Sequence, residues 1–146
     1  MKLKIKAVSD KIGKDIPYPF YATAGAAAMD LCACVDAPVE VAPRALVSIP
    51  TGIAIDFPKG WYATVILRSS MHKRGLVGSQ GLIDNDYRGQ VYIQACNITG
   101  NIVTLMPGDR VGQIIFHQYE SPHLVETQDE ISKTERGEGG FGSTGV

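Results

Sequence analysis

From Val39 onward the chain divides into short runs of β-branched, aliphatic and aromatic residues, recurring about every eight to twelve residues with Pro, Gly, Asn or Asp between them. Runs this short suit strands better than amphipathic helices, and the punctuation supplies the turns. The pattern calls for an all-β sandwich or barrel. Before it, Lys2 to Val8 alternates charged and apolar residues, a half-buried strand, and Lys11 to Pro19 reads as loop. Pro43, Pro50 and Gly52 are expected to split Val39 to Phe57 into several short strands. Trp61 to Leu67, Val91 to Gln94, Ile102 to Leu105 and Arg110 to Phe116 are the later strands. Met106-Pro107-Gly108-Asp109 is a turn. Ser69 to Arg74 is the helix candidate near the middle, with Ser69 or Ser70 placed to cap it.

With 146 residues, a single core is expected. The formal charge of −1 lacks the basic footprint that phosphate-backbone binding requires, so neither nucleic acid nor, for want of a long apolar run, membrane is an expected partner. Met1-Lys2-Leu3-Lys4 leads into strand pattern rather than a signal sequence. Cys32, Cys34 and Cys96 lack framework spacing and fit reduced thiols; Cys32 and Cys34 are expected on one strand face as small packing groups. A cytoplasmic location follows as the expectation, with nuclear and organellar placements left open. His72, His117 and His123 lack zinc spacing with each other or with the cysteines.

The chemistry concentrates in five stretches. Gly81-Leu82-Ile83-Asp84-Asn85-Asp86-Tyr87-Arg88-Gly89 leads into Val91 to Gln94 and reads as a β-hairpin. Asp84 stands where an apolar strand meets the turn, either as a solvated capping residue or as a partly desolvated carboxylate within reach of a ligand. Ala24 to Leu31 reads as a tight turn of small residues delivering Asp30 to a strand, again as a cap or as a working carboxylate. Arg68-Ser69-Ser70 is a capped surface turn or an anion site. Gln113 interrupts an apolar strand, and a buried Gln must find partners in the backbone or in a ligand. Arg136 to Gly145 holds five glycines in ten residues, the composition of a linker, yet includes Phe141 and the nest-forming Gly142-Ser143-Thr144-Gly145. Residues 1–133 are expected as the β domain and 134–146 as a glycine-rich tail.

In their order and wording these stretches resemble the five motifs of the trimeric dUTPase (dUTP diphosphatase) family: Ala26 to Leu31, Arg68 to Ser70, Gly81 to Gly89, Arg110 to Gln113 and Arg136 to Gly145. Leu67 stands where that family often has Pro, and Ser70 where Gly is usual. The resemblance implies a distorted jelly roll, a homotrimer with active sites built from several subunits, and hydrolysis of dUTP to dUMP and pyrophosphate with Mg²⁺. It implies that Asp84 is the general base and that Asp30 holds the water shell of the metal. Arg68, Ser69, Ser70 and Gln113, with Arg136, Ser143 and Thr144 from the tail, would bind phosphates. Gly81, Leu82, Ile83, Tyr87, Tyr92, Phe141 and Gly142 would bind uracil and deoxyribose, and the tail would close over the site.

The dCTP deaminases, of the same fold, are the alternative enzyme, alone or bifunctional. Their proton-shuttling Glu falls about ten residues past the turn Asp, where this chain has Gln94, and their Pro-Gly-Trp is replaced by Asn85-Asp86-Tyr87. A non-catalytic jelly-roll binding protein is the alternative outside enzymes.

Overall fold

The computed structural model describes residues 1–139. In chain order these form β1 (Lys4–Ala7), β2 (Met29–Cys32), β3 (Val39–Val41), β4 (Leu46–Asp56), β5 (Trp61–Leu67), α1 (Ser69–Lys73), β6 (Leu76–Val77), β7 (Gly81–Ile83), β8 (Gln90–Asn97), β9 (Val103–Leu105) and β10 (Arg110–Gln118). One antiparallel sheet runs β1-β4-β8-β6, a second runs β2-β10-β5-β7, and β3 pairs with β9. Residues Leu31, Val111 and Ile114 of the second sheet and Ile49, Ile53, Val91 and Ile93 of the first are sealed in a common core. Along β8 buried residues alternate with less buried ones, the period-two signature that the sequence carries.

Two expectations about chain breaks give way. Pro50 and Gly52 do not divide the Val39 to Phe57 region as anticipated: β4 runs through both. A bulge absorbs them, since the register against β8 shifts between Pro50 and Ala54. Gly52 takes a left-handed φ of 72°, and a Cβ there would lie 2.5 Å from Cys34 Sγ. Side chains stand in for ladder bonds across the bulge: Thr51 Oγ1 donates to Val91 O at 2.7 Å, and Gly52 N donates to Gln90 Oε1 at 3.0 Å.

The stretch Gly81 to Gly89 is likewise not a hairpin. β7 pairs with β5 in one sheet, and β8 pairs with β4 and β6 in the other. Strand–turn–strand chemistry is the same whether a turn joins neighbours or changes sheets, so the sequence pattern does not separate the two cases.

The helix begins at an N-cap Arg68 that makes no side-chain capping bond, so neither Ser69 nor Ser70 acts as the cap. Met71 anchors α1 in the core, and Gly75, with φ 82° and its N–H on His72 O, ends it. Cys32 and Cys34 do not share a strand face. β2 stops at Cys32, after which Ala33 N bonds Asp109 O and Cys34 N bonds Pro50 O, carrying the chain from one sheet toward the other. Beyond β10, residues 119–139 hold no strand or helix and are largely exposed.

Candidate active site

The expected site residues before the tail fall into two groups. The first surrounds a cleft of about 270 Å³ between β7 and β8, lined by Val65, Gly81 to Asp84, Tyr87, Gln90 to Tyr92 and Gln94. It exists because the strands on either side belong to different sheets. β7 is the last strand of its sheet, and β6 covers β8 only at Cys96 and Asn97, so Gln90 to Gln94 has a strand partner on the β4 side alone. Two strand edges with backbone donors and acceptors to spare therefore border the cleft.

Tyr87 is held at the cleft by its hydroxyl, which donates to Gln90 O at 2.9 Å. Gln90, absent from the sequence reading, ties the floor together: its Nε2 donates to Tyr92 Oη at 2.8 Å while its Oε1 takes the bulge N–H of Gly52. The sequence signal for it was a polar residue at the mouth of an otherwise alternating strand. Asp84 lines the same cleft, with its carbonyl accepting from Tyr87 N at 3.2 Å. On the single chain it is exposed, which matches the solvated one of the two alternatives.

The second group is built on Asp30, 1% exposed in β2 and directly opposite Gln113 in β10. Gln113 Nε2 donates to Asp30 Oδ1 at 3.1 Å, Arg68 Nε lies 3.2 Å from the same oxygen, and Arg110 Nη1 donates to Oδ2 at 3.3 Å. Gln113 is half-buried rather than buried, and its partner on the single chain is the Asp30 side chain, not backbone. Arg110 was not among the expected site residues. Three positions before Gln113, it belongs on the opposite face of a regular strand, but a register shift between Arg110 and Gly112 brings both beside Asp30. One buried carboxylate orients two guanidinium groups, whose side chains remain 24% (Arg68) and 47% (Arg110) exposed. The cluster carries one positive charge in excess and can receive an anion. Ser69 and Ser70 stand exposed beside it on α1. Burial, and secondarily the Asp30 charge, pushes the nearby Cys32 thiol above its ordinary pKa, which keeps it protonated and unreactive.

None of Asp30, Arg68, Ser69, Ser70 and Gln113 lines the cleft of Asp84, so one chain displays two half-sites. Arg136 joins neither, its Nε donating to Gly139 O at 2.8 Å. Phe141, Gly142, Ser143 and Thr144 lie outside the described residues. Among the described residues no group of three His, Cys, Asp or Glu side chains could hold a metal ion, and no helix is long and apolar enough to cross a membrane.

The dUTPase family model matches residues 14–145, nearly the whole chain and both half-sites. The chain belongs to the dUTPase family. Among curated relatives, the deoxyuridine 5'-triphosphate nucleotidohydrolase of Aeromonas salmonicida (strain A449) is 40% identical, with the match covering 99% of this chain and 97% of that one. The enzyme of the same name from Legionella pneumophila (strain Paris) is 42% identical over 98% of this chain and 96% of its own length. Among solved structures, a variant of the Staphylococcus bacteriophage 80alpha dUTPase with dUpNHpp superposes with a TM-score of 0.84 over 99% of both chains at 23% identity. A phage phi11 dUTPase variant described with a structural Mg(II) ion superposes at 0.76, over 88% of this chain and 98% of that one, at 19% identity. At such identities these two matches speak for the fold, and a jelly-roll dUTPase fold is what the two sheets form.

Proposed function

We propose that this chain hydrolyses dUTP to dUMP and pyrophosphate, water attacking the α-phosphorus, in a homotrimer whose active sites are shared between subunits. The observation that carries this reading is the division of the site. The cleft with Asp84 and the Asp30 cluster do not meet on one chain, yet both lie within the residues matched by one enzyme family. Assembly would set the cleft of one copy against the cluster of another and cover Asp84, which is exposed on the single chain.

Uracil suits the cleft because it presents acceptor, donor and acceptor along one edge. Unpaired strand edges at Gly81, Leu82, Ile83 and beside Tyr92 can meet that edge much as an added strand would. Cytosine would set its amino donor where an edge N–H meets the uracil oxygen, and an unpaired buried donor costs about 1–3 kcal/mol. The Tyr87 ring would pack under the deoxyribose and exclude a 2′-hydroxyl.

Arg68, Ser69, Ser70 and Gln113 would take the phosphates, with Asp30 fixing Arg68, Gln113 and the unanticipated Arg110. Asp84 would orient the attacking water and accept its proton, a role that contributes about 10²–10⁴-fold. Mg²⁺ fits this site as a cation carried by the triphosphate. A carboxylate offers about four acceptor positions; Asp30 accepts from Arg110 and Gln113 and pairs ionically with Arg68, which leaves acceptor capacity for a metal-bound water. Such an ion would neutralise triphosphate charge and polarise the phosphoryl oxygens. Arg136, Ser143 and Thr144 would add phosphate contacts while Phe141 and Gly142 cover the base. The free cysteines among the described residues support a cytoplasmic setting.

The test is turnover of dUTP and dCTP by the wild type and by Asp84→Asn, following pyrophosphate and ammonia. The wild type should release pyrophosphate from dUTP and no ammonia from dCTP, and Asp84→Asn should lower kcat by about two to four orders of magnitude with little change in nucleotide binding. Activity within a few-fold of wild type in Asp84→Asn would sink the assignment of the base. Ammonia from dCTP would favour the deaminase, a reading the structure does not encourage. Gln94 borders the cleft with a carboxamide whose Oε1 accepts from Ser48 Oγ at 2.9 Å, and it has no proton to shuttle.

A further inference from the structure

We propose that Arg88 and Asp56 form a clamp that positions the turn carrying Asp84. The inference rests on the role assigned to Asp84 above and concerns what fixes that carboxylate in place.

In a hairpin the ladder between the two strands would hold such a turn. Here the flanking strands diverge into separate sheets, so beyond the bond from Tyr87 N to Asp84 O the turn relies on side chains. Arg88 does this from outside the cleft. Its Nη1 donates to Asn85 O at 2.7 Å and to Tyr87 O at 3.0 Å, and its Nη2 donates to Asp56 Oδ1 at 2.9 Å. Asp56 is the last residue of β4, and its other oxygen takes Lys4 Nζ of β1 at 3.1 Å. One planar guanidinium thus gathers two carbonyls of the turn and ties them to the end of β4 in the first sheet. Neither Arg88 nor Asp56 lines the cleft, whereas Asp84 and Tyr87 both do. Arg88 therefore acts through the backbone of the turn and is a positioning residue.

The pair is poorly placed to serve stability. The Arg88 and Asp56 side chains are 55% and 39% exposed, and ion pairs so accessible to water contribute little to folding. Geometry is a different matter, because a reacting group displaced by 1 Å can lose about 10²-fold in rate. Lysine would not substitute for the clamp: its ammonium is a point charge on a flexible stem and cannot reproduce a rigid fork that reaches three acceptors in different directions. The Tyr87 ring has separate anchors at Gln90 O and against Gly89, so substrate affinity should survive loss of the clamp.

The experiment is steady-state kinetics on dUTP for Arg88→Ala, Arg88→Lys and Arg88→Ala combined with Asp56→Ala, beside Asp84→Asn, with melting temperature and size-exclusion elution recorded for each. Arg88→Ala should lower kcat about tenfold, with KM within about threefold and melting and assembly unchanged. Arg88→Lys should recover little of the loss, and the double variant should be no worse than Arg88→Ala, since both substitutions break one device. Wild-type kcat in Arg88→Ala beside an inactive Asp84→Asn overturns the clamp and leaves the base standing. Full rescue by lysine, or a loss that tracks melting temperature, overturns it too. An active Asp84→Asn instead removes the reading on which the clamp depends.

Discussion

At Gly89 the absence of one methyl group decides where an aromatic ring can lie. A Cβ there would stand 2.3 Å from Tyr87 Oη and 2.5 Å from Cζ. Gly89 is not among the left-handed glycines, so alanine meets no backbone strain and the ring must yield instead. Gly89→Ala should swing Tyr87 out of place and break its bond to Gln90 O, at a cost of about 1 kcal/mol in stability. Its effect on selectivity should be larger: the ratio of kcat/KM for dUTP over UTP should narrow by about tenfold. Parallel kinetics on the two nucleotides check it, and an unchanged ratio would mean that Tyr87 does not exclude the hydroxyl. The use of Gly89 here is close approach by a side chain, which is invisible without coordinates. Asp30, Arg68, Gln113 and Asp84 were legible because each interrupts an apolar pattern or opens a turn. Arg110 and Gln90 were not, since each owes its contacts to a bulge, in β10 and β4 respectively, that period-two counting does not foresee.

Among the elements, β5 could be read from the sequence residue for residue, because Trp61 to Leu67 has no competing breaker inside it. β4 could not, because Pro50 and Gly52 are breakers in general and bulge residues in this fold. β7 and β8 were found as strands and mispaired, since pairing is settled by what competes for each edge. Asn97 shows how a loop end is held once pairing is complete. It is fully buried at the end of β8, and its Nδ2 donates to Val41 O at 2.8 Å and Asn101 O at 2.7 Å. Its Oδ1 accepts from Thr99 N at 2.9 Å and Thr99 Oγ1 at 2.8 Å. One carboxamide thus joins β3 to the β8–β9 turn. Asn97→Ala removes four bonds and strands buried backbone groups, and should destabilise the protein by about 2–4 kcal/mol. Chemical denaturation should show the midpoint falling with the m-value preserved; a change under 1 kcal/mol would mean that water replaces the side chain at little cost.

At the scale of the whole molecule, no hydrogen-bonded strand pair among the described residues joins strands adjacent in sequence. β1 waits for β4, β3 for β9, and β2 for β10, which also joins β2 to β5. Every sheet contact therefore closes a loop before any pairing rewards it, and a chain of this kind folds in milliseconds to seconds rather than microseconds. Stopped-flow refolding of the isolated chain should show its main phase in that range, and a microsecond main phase would contradict the topology. During synthesis the consequence is sharper. A chain truncated before Arg110 has β2 without its neighbour and β5 with β7 alone, so half of the sandwich has nothing to lie against. A ribosome that has made the Asp84 turn holds a nascent chain still short of its last strand, and native burial must wait until β10 has left the exit tunnel.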